Sequence, residues 1–285
     1  MNYNDYGTLL KQIPELGRFI KLSERAFEIY INAIEKNRYL ALTPPQGIFN
    51  LLFFQAKNTS YSVRVLSTWA QPLEALALLR IRLEQAIISS YLFYEEYESG
   101  FGTYIKFMSD IERSAATILK KELDLNSFLK AIAPDFYGLL KSKLDDHENK
   151  YSNFDFKNDK PKKKWTNKSI FKLAKRRDEL APKNNMIKHI SFEKYYQTLY
   201  KMASSIVHCD VSALSSNFVT TTPNGILIPH IFYVYSSLME CAHLDIIQCY
   251  ELLNYCGVDR NKELEKLYKD FAIEIKEQFG FNLTI

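Results

Sequence analysis

Hydrophobic positions recur three or four apart along most of the chain, and long alternating runs are missing. From Pro14 to Tyr39 the apolar set Phe19, Leu22, Ala26, Phe27, Tyr30, Ala33 and Ile34 predicts one helix. Leu42-Thr43-Pro44-Pro45 breaks it, and Ile48, Leu51, Leu52, Phe54, Val63 and Leu66 continue the period over about 46–70. Pro72 then opens a helix reaching Tyr97, because proline is tolerated in a first helical turn. Further helices are predicted over about 103–123, to about 149 with an interruption at Pro134, and over 169–180, 191–207, 229–256 and 260–279. Gly257 separates the last two and Gly280 stops the chain's last helix, as glycine does just past a helix end. Val211–Phe218 reads as a short helical turn, and Thr220 to Gly225 as a turn with an extended segment.

The two most apolar segments, about 72–97 and 229–256, are expected to be buried at the centre. The pattern therefore predicts an all-α fold: a multi-helix bundle of about 8–10 helices around those two, in a single domain over 1–285. The polar excursion 150–168 is expected to be a loop within it.

Composition adds little to the class and much to the charge map. Nine Gly and nine Pro in 285 residues are few, which favours long helices. The net charge of +4 is uneven, since residues 157–177 hold ten Lys/Arg against the single acid Asp159. Lys162, Lys163, Lys164, Lys168, Arg176 and Arg177, with Trp165 for stacking, are the candidate nucleic-acid contacts, RNA being the expected ligand. Their alternative is a solvated surface. No apolar run of about 20 residues is free of charge, so no membrane span is expected. Cys209, Cys241, Cys249 and Cys256 form no CxxC pair, and the first residues lack a secretory pattern. Reduced thiols and a cytoplasmic location are expected.

Charges inside the 72–97 helix need partners or a purpose. Arg80 and Glu84, four apart, share a face and are read as the inward pair, while Arg82 points the other way, toward a surface. Cys241, Asp245 and Cys249 share a face of the later helix with His243 off it. The cysteines are read as small apolar-behaving residues of a buried helix, and neither a metal nor a cofactor is expected. Cys209 beside His208 lacks a third catalytic member, and Gly100-Phe101-Gly102 lacks the context of a phosphate loop.

The segment LLRIRLEQAIISSYLFYEE, the block WTNKSIFKLA from Trp165 and the block from Tyr196 through MASSIVHCDVSAL resemble a family of uncharacterised all-helical bacterial proteins. More remotely, the layout is similar to HEPN helical domains, which pair an Arg with a downstream His as a metal-independent ribonuclease site, commonly in a dimer. Lys201 stands seven residues before His208 in place of that Arg, keeping the charge without the planar fork. The resemblance implies a site of His208 as proton-transfer residue, Arg80 or Lys201 as phosphate stabiliser, Glu84 as orienting group and Ser204 beside them. The function implied is an RNA-directed effector in phage defence or a toxin–antitoxin response, with RNA, an antitoxin or other protein, or a second copy as partner. The alternative is a non-catalytic helical interaction module whose Arg/Glu/His cluster is a structural latch.

Overall fold

Pro72–Glu95 is a helix with thirteen buried residues spread around its circumference, as its mostly apolar sequence predicts. The structure is a computed structural model, and it describes residues 13–36, 44–69, 71–95, 102–125, 127–150, 166, 168–181, 190–208, 219–221, 227–229, 231–258 and 261–280. In chain order the elements are α1 (Leu16–Lys36), α2 (Pro44–Thr68), α3 (Pro72–Glu95), α4 (Gly102–Leu125), α5 (Ser127–Ile132), α6 (Pro134–Lys150) and α7 (Ile170–Leu180). Then follow α8 (Phe192–Tyr195), a π-helical turn (Tyr196–Tyr200), α9 (Lys201–Val207), β1 (Val219–Thr221), β2 (Leu227–Pro229), α10 (Ile231–Tyr255) and α11 (Asn261–Phe279). Among the described residues the fold is a helical bundle with one short antiparallel strand pair, in which Thr220 pairs with Ile228. The predicted turn at 211–218 lies outside the described residues.

The helical pattern predicts one domain over 1–285. By packing, the chain forms two compact units, 1–97 with 168–285, and 98–167. In the larger, α10 packs on α1, α2, α3 and α11, and α3 packs on α2, α7, α9 and α10. The two helices expected at the centre are there. α1 presents Leu16, Phe19, Ser23, Ala26, Phe27, Tyr30 and Ala33 at three- and four-residue spacing, a stripe apolar except at Ser23. Phe27 and Tyr30 close on Phe53 of α2, with ring centroids 5.5 and 3.9 Å apart. Each such ring, fully buried, stabilises the fold by roughly 1.5–3 kcal/mol.

The local signals work as their chemistry dictates. Ser191 caps α8 by accepting from the Lys194 N–H at 3.2 Å. Asp178, at the end of α7, accepts from the Phe192 and Glu193 N–H groups at 3.0 and 2.9 Å, a carboxylate on a helix N-terminus. Gly257 takes φ +66° after α10, and the Val258 N–H turns back to the Leu253 carbonyl at 3.1 Å.

The smaller unit carries α4, α5 and α6. Its described core is Ala116, Leu123 and Leu144, with Leu119, Tyr137 and Leu140 packed against them. Lys150 of α6 reaches Glu112 of α4 at 2.8 Å, and Lys120 pairs with Glu148.

Candidate functional site

Polar side chains that point into the core define the candidate site, and they follow one seam of α10. Ser237 meets Ser67 of α2 at 2.7 Å, and Gln248 donates to Ser89 of α3 at 3.1 Å. Between them sits Asp245, fully buried. Its Oδ1 receives the Arg82 Nε and Nη2 at 3.0 and 2.9 Å and the Ser60 hydroxyl at 2.6 Å. Its Oδ2 accepts from the Ser23 hydroxyl, which in turn accepts from Arg64 at 3.3 Å. One carboxylate thus ties α1, α2, α3 and α10 together. Both Arg82 and Asp245 side chains are 0% exposed, so the pair persists only because each charge is neutralised and hydrogen-bonded. The Arg82 Nη1 is buried without a hydrogen-bond partner among the described residues.

This reverses the orientation expected for α3. Arg80 and Arg82 do point to opposite sides, but Arg82 is the inward one. Arg80 and Glu84, at 3.4 Å, retain 20% and 29% exposure. The Arg80 guanidinium lies 4.8 Å from the centre of the Tyr200 ring and donates to its hydroxyl at 3.1 Å. Burial, helped by Glu84, raises the Tyr200 pKa. An ion pair closed within one helix asks nothing of the core, whereas Arg82 has no partner on α3 and finds one on α10.

A second buried arginine corrects the nucleic-acid patch. Arg177 is 0% exposed and forms a salt bridge with Glu251 of α10, donates to Ser90 at 2.9 Å and to the Ile190 carbonyl at 3.1 Å, and covers the Phe192 ring at 4.3 Å. It cannot meet a phosphate from there. Glu251 also accepts from Ser90, and from Tyr94 at 3.3 Å. Arg176 reaches Glu95 at 2.9 Å and Lys168 reaches the Tyr91 hydroxyl at 2.7 Å, so both fasten α7 and its lead-in to α3. Lys162, Lys163, Lys164 and Trp165 lie outside the described residues.

His208 ends α9, exposed, with its N–H on the Ser204 carbonyl at 3.0 Å. It stands eight residues beyond Tyr200, about 12 Å along a helix. Lys201 is exposed and Ser204 half-buried. The structure therefore brings Arg80 and Glu84 to Tyr200, while His208 sits two turns further on. The π-helical turn, where Tyr196 and Tyr200 stack at 4.4 Å, was not anticipated.

A third cluster was also missed. The Tyr195 hydroxyl bonds to Nδ1 of His243, whose ring stacks on Phe271 at 5.0 Å and tilts against Tyr268 at 5.6 Å. Glu240, one turn before His243, faces the same hydroxyl. Burial lifts its carboxyl to about 7, opposed by the Tyr195 hydrogen bond, and lowers His243 to about 4. Cys241 and Cys249 are buried thiols whose pKa values rise through burial, as expected of core residues. No group of three His, Cys, Asp or Glu among the described residues is arranged to hold a metal ion.

Residues 46–226 match the model of a family of unknown function, DUF5677. The chain belongs to DUF5677. No curated protein and no solved structure matches it. The matched DUF5677 segment runs from the first turn of α2 to just before β2. It holds Arg82 and Arg177, while their carboxylates Asp245 and Glu251 lie beyond it on α10. No helix among the described residues is long and apolar enough to cross a membrane.

Proposed function

We propose that this chain is a non-catalytic helical interaction module that binds protein through the outer face of α2. One observation carries the reading. α2 buries Phe49, Leu52, Phe53, Ala56 and Val63, yet leaves Leu51, Phe54, Tyr61 and Trp69 65%, 52%, 62% and 54% exposed. A helix apolar on both faces belongs inside, and an apolar band left outside is a docking surface. The arginines favour the same reading, because Arg82 and Arg177 are paired with internal carboxylates and fully buried, out of reach of a substrate at the surface. The latch of the alternative reading is kept, with Arg82–Asp245 and Arg177–Glu251 in place of the Arg80, Glu84 and His208 set.

A second reading is a HEPN-like, metal-independent endoribonuclease of a phage-defence or toxin–antitoxin response. It draws on Lys201 and His208, both exposed and seven residues apart, hence on one side of their helix. Such a site needs a base for the 2′-hydroxyl and a cation for the phosphate. The two readings separate when wild type and His208→Ala are incubated with total RNA in EDTA and melted in parallel. The interaction module predicts no His208-dependent cleavage and equal melting temperatures. Cleavage by wild type that His208→Ala abolishes, with the fold intact, overturns it in favour of the nuclease.

A further inference from the structure

The outer face of α2 has a sequence that says what covers it. Its outward line is Leu51, Phe54, Asn58, Tyr61, Val65 and Trp69, spaced three or four apart, all exposed but the half-buried Val65. Trp69 follows the last helical residue but keeps the ladder, its N–H on the Val65 carbonyl at 3.0 Å. The line is about 27 Å long at 1.5 Å per residue. It contains no acid and no base. The charges of α2 are Lys57, off the line, and Arg64, which is buried on Ser23 and Glu24.

We propose that this face binds the same face of a second copy of the chain, the two α2 helices running antiparallel about a two-fold axis. The proposal deepens the interaction-module reading and rests on it. Three features choose a second copy over another partner. The first is charge. A phosphate backbone finds no cation on the line, and a strongly charged protein finds no complement, whereas two uncharged lines meet without repulsion. The second is symmetry. An isologous contact needs a self-complementary patch. An axis between Asn58 and Tyr61 sets Leu51 of one copy against Trp69 of the other, and Phe54 against Val65. It also places the two polar side chains of the line together at the centre, where the Tyr61 hydroxyl can meet the partner copy's Asn58 amide. The third is area. Phe54, Tyr61 and Trp69 are each more than half exposed, and an aromatic side chain carries roughly 150–250 Å². At those exposures the three rings supply roughly 250–420 Å², up to about half of the roughly 800 Å² per partner of a standard interface, and Leu51 with the flanking residues adds to it, so the area fits a small dimer contact. Tyr61 is also pre-positioned, its ring centroid 5.9 Å from the Arg64 guanidinium, so little side-chain freedom is lost on docking.

Sedimentation equilibrium of the full chain at micromolar concentration tests this, with Tyr61→Glu, Trp69→Glu and the control Ile273→Glu, an exposed residue of α11. Circular dichroism melts confirm that each variant folds, and Tyr61→Ala and Trp69→Ala replace any charged variant that does not. The expected result is a wild-type dimer whose dissociation constant rises about tenfold or more in the α2 variants, the effect of losing a central aromatic anchor, with the control unchanged. A wild type that stays monomeric overturns the proposal. So does a dimer indifferent to Tyr61 and Trp69, which would place the interface elsewhere. Neither result bears on the RNA experiment, which judges the non-catalytic reading independently.

Discussion

Arg80 and Arg82 stand two residues apart on one helix and have opposite fates. Arg80 stays near the surface with Glu84, its own neighbour one turn on, and rests on Tyr200. Arg82 is sealed in the core against Asp245, 163 positions away in sequence, with Ser23 and Ser60 completing the carboxylate's shell. A charge satisfied locally is free to sit at the margin. One satisfied only by a distant helix fixes how helices meet. The difference separates charges that decorate this fold from charges that determine it.

The largest effect is expected at the buried pair. Arg82→Ala leaves Asp245 charged, buried and unpaired, and is predicted to cost about 3–5 kcal/mol in urea unfolding. A loss under 1 kcal/mol would mean that water reaches Asp245 and that the contrast with Arg80 is not one of burial. Arg177→Ala is next, at about 3 kcal/mol, because each carboxylate keeps two hydroxyl donors but the Glu251 side chain retains 4% exposure where Asp245 has none. Equal losses at positions 82 and 177 would show that this difference in burial counts for nothing.

The Glu240 and His243 cluster sharpens the comparison through pH. Glu240 is held at about 7 against an ordinary 4.5, so its contribution is full below pH 4.5 and lost as pH rises through 7. His243 is held at about 4 against 6.5, so its contribution is full above pH 6.5 and lost as pH falls through 4. The two slopes oppose each other in wild type. Glu240→Gln removes one, so its stability should fall between pH 6.5 and 4.5 relative to wild type, by on the order of 2 kcal/mol after allowance for partial exposure. Parallel pH curves for the two proteins would remove Glu240 from the account. The smallest effect belongs to Arg80→Ala, predicted to cost less than about 1 kcal/mol of stability, as a partly exposed intrahelical pair should.

The helical period carried most of the architecture. The starts and ends of α1, α3, α7, α10 and α11 follow from Pro14, Pro72, Ser169, Gly257 and Gly280, since capping and backbone freedom are local chemistry. The centre formed by α3 and α10 followed from their length and apolarity. Which charge on α3 turns inward did not follow, because the i, i+4 spacing of Arg80 and Glu84 is equally good for a surface pair. A signal was nonetheless there. Arg82 is followed seven and eight residues later by Ser89 and Ser90, small side chains on its own face that allow close approach of α10. Arg177 was drawn into a basic patch by its neighbours, and only the packing of α7 on α3 and α10 separates it from Lys168 and Arg176. The Tyr195, Glu240 and His243 cluster depends on a meeting of α8, α10 and α11 that no local spacing encodes.

The most direct test is a pair of double-mutant cycles measured by urea unfolding, Arg82→Met with Asp245→Leu, and Arg80→Met with Glu84→Leu. The account predicts a coupling of about 2 kcal/mol or more for the first, with the double variant regaining much of what each single change loses. It predicts about 0.3–0.5 kcal/mol for the second. Equal couplings in the two cycles, or none between Arg82 and Asp245, would contradict it.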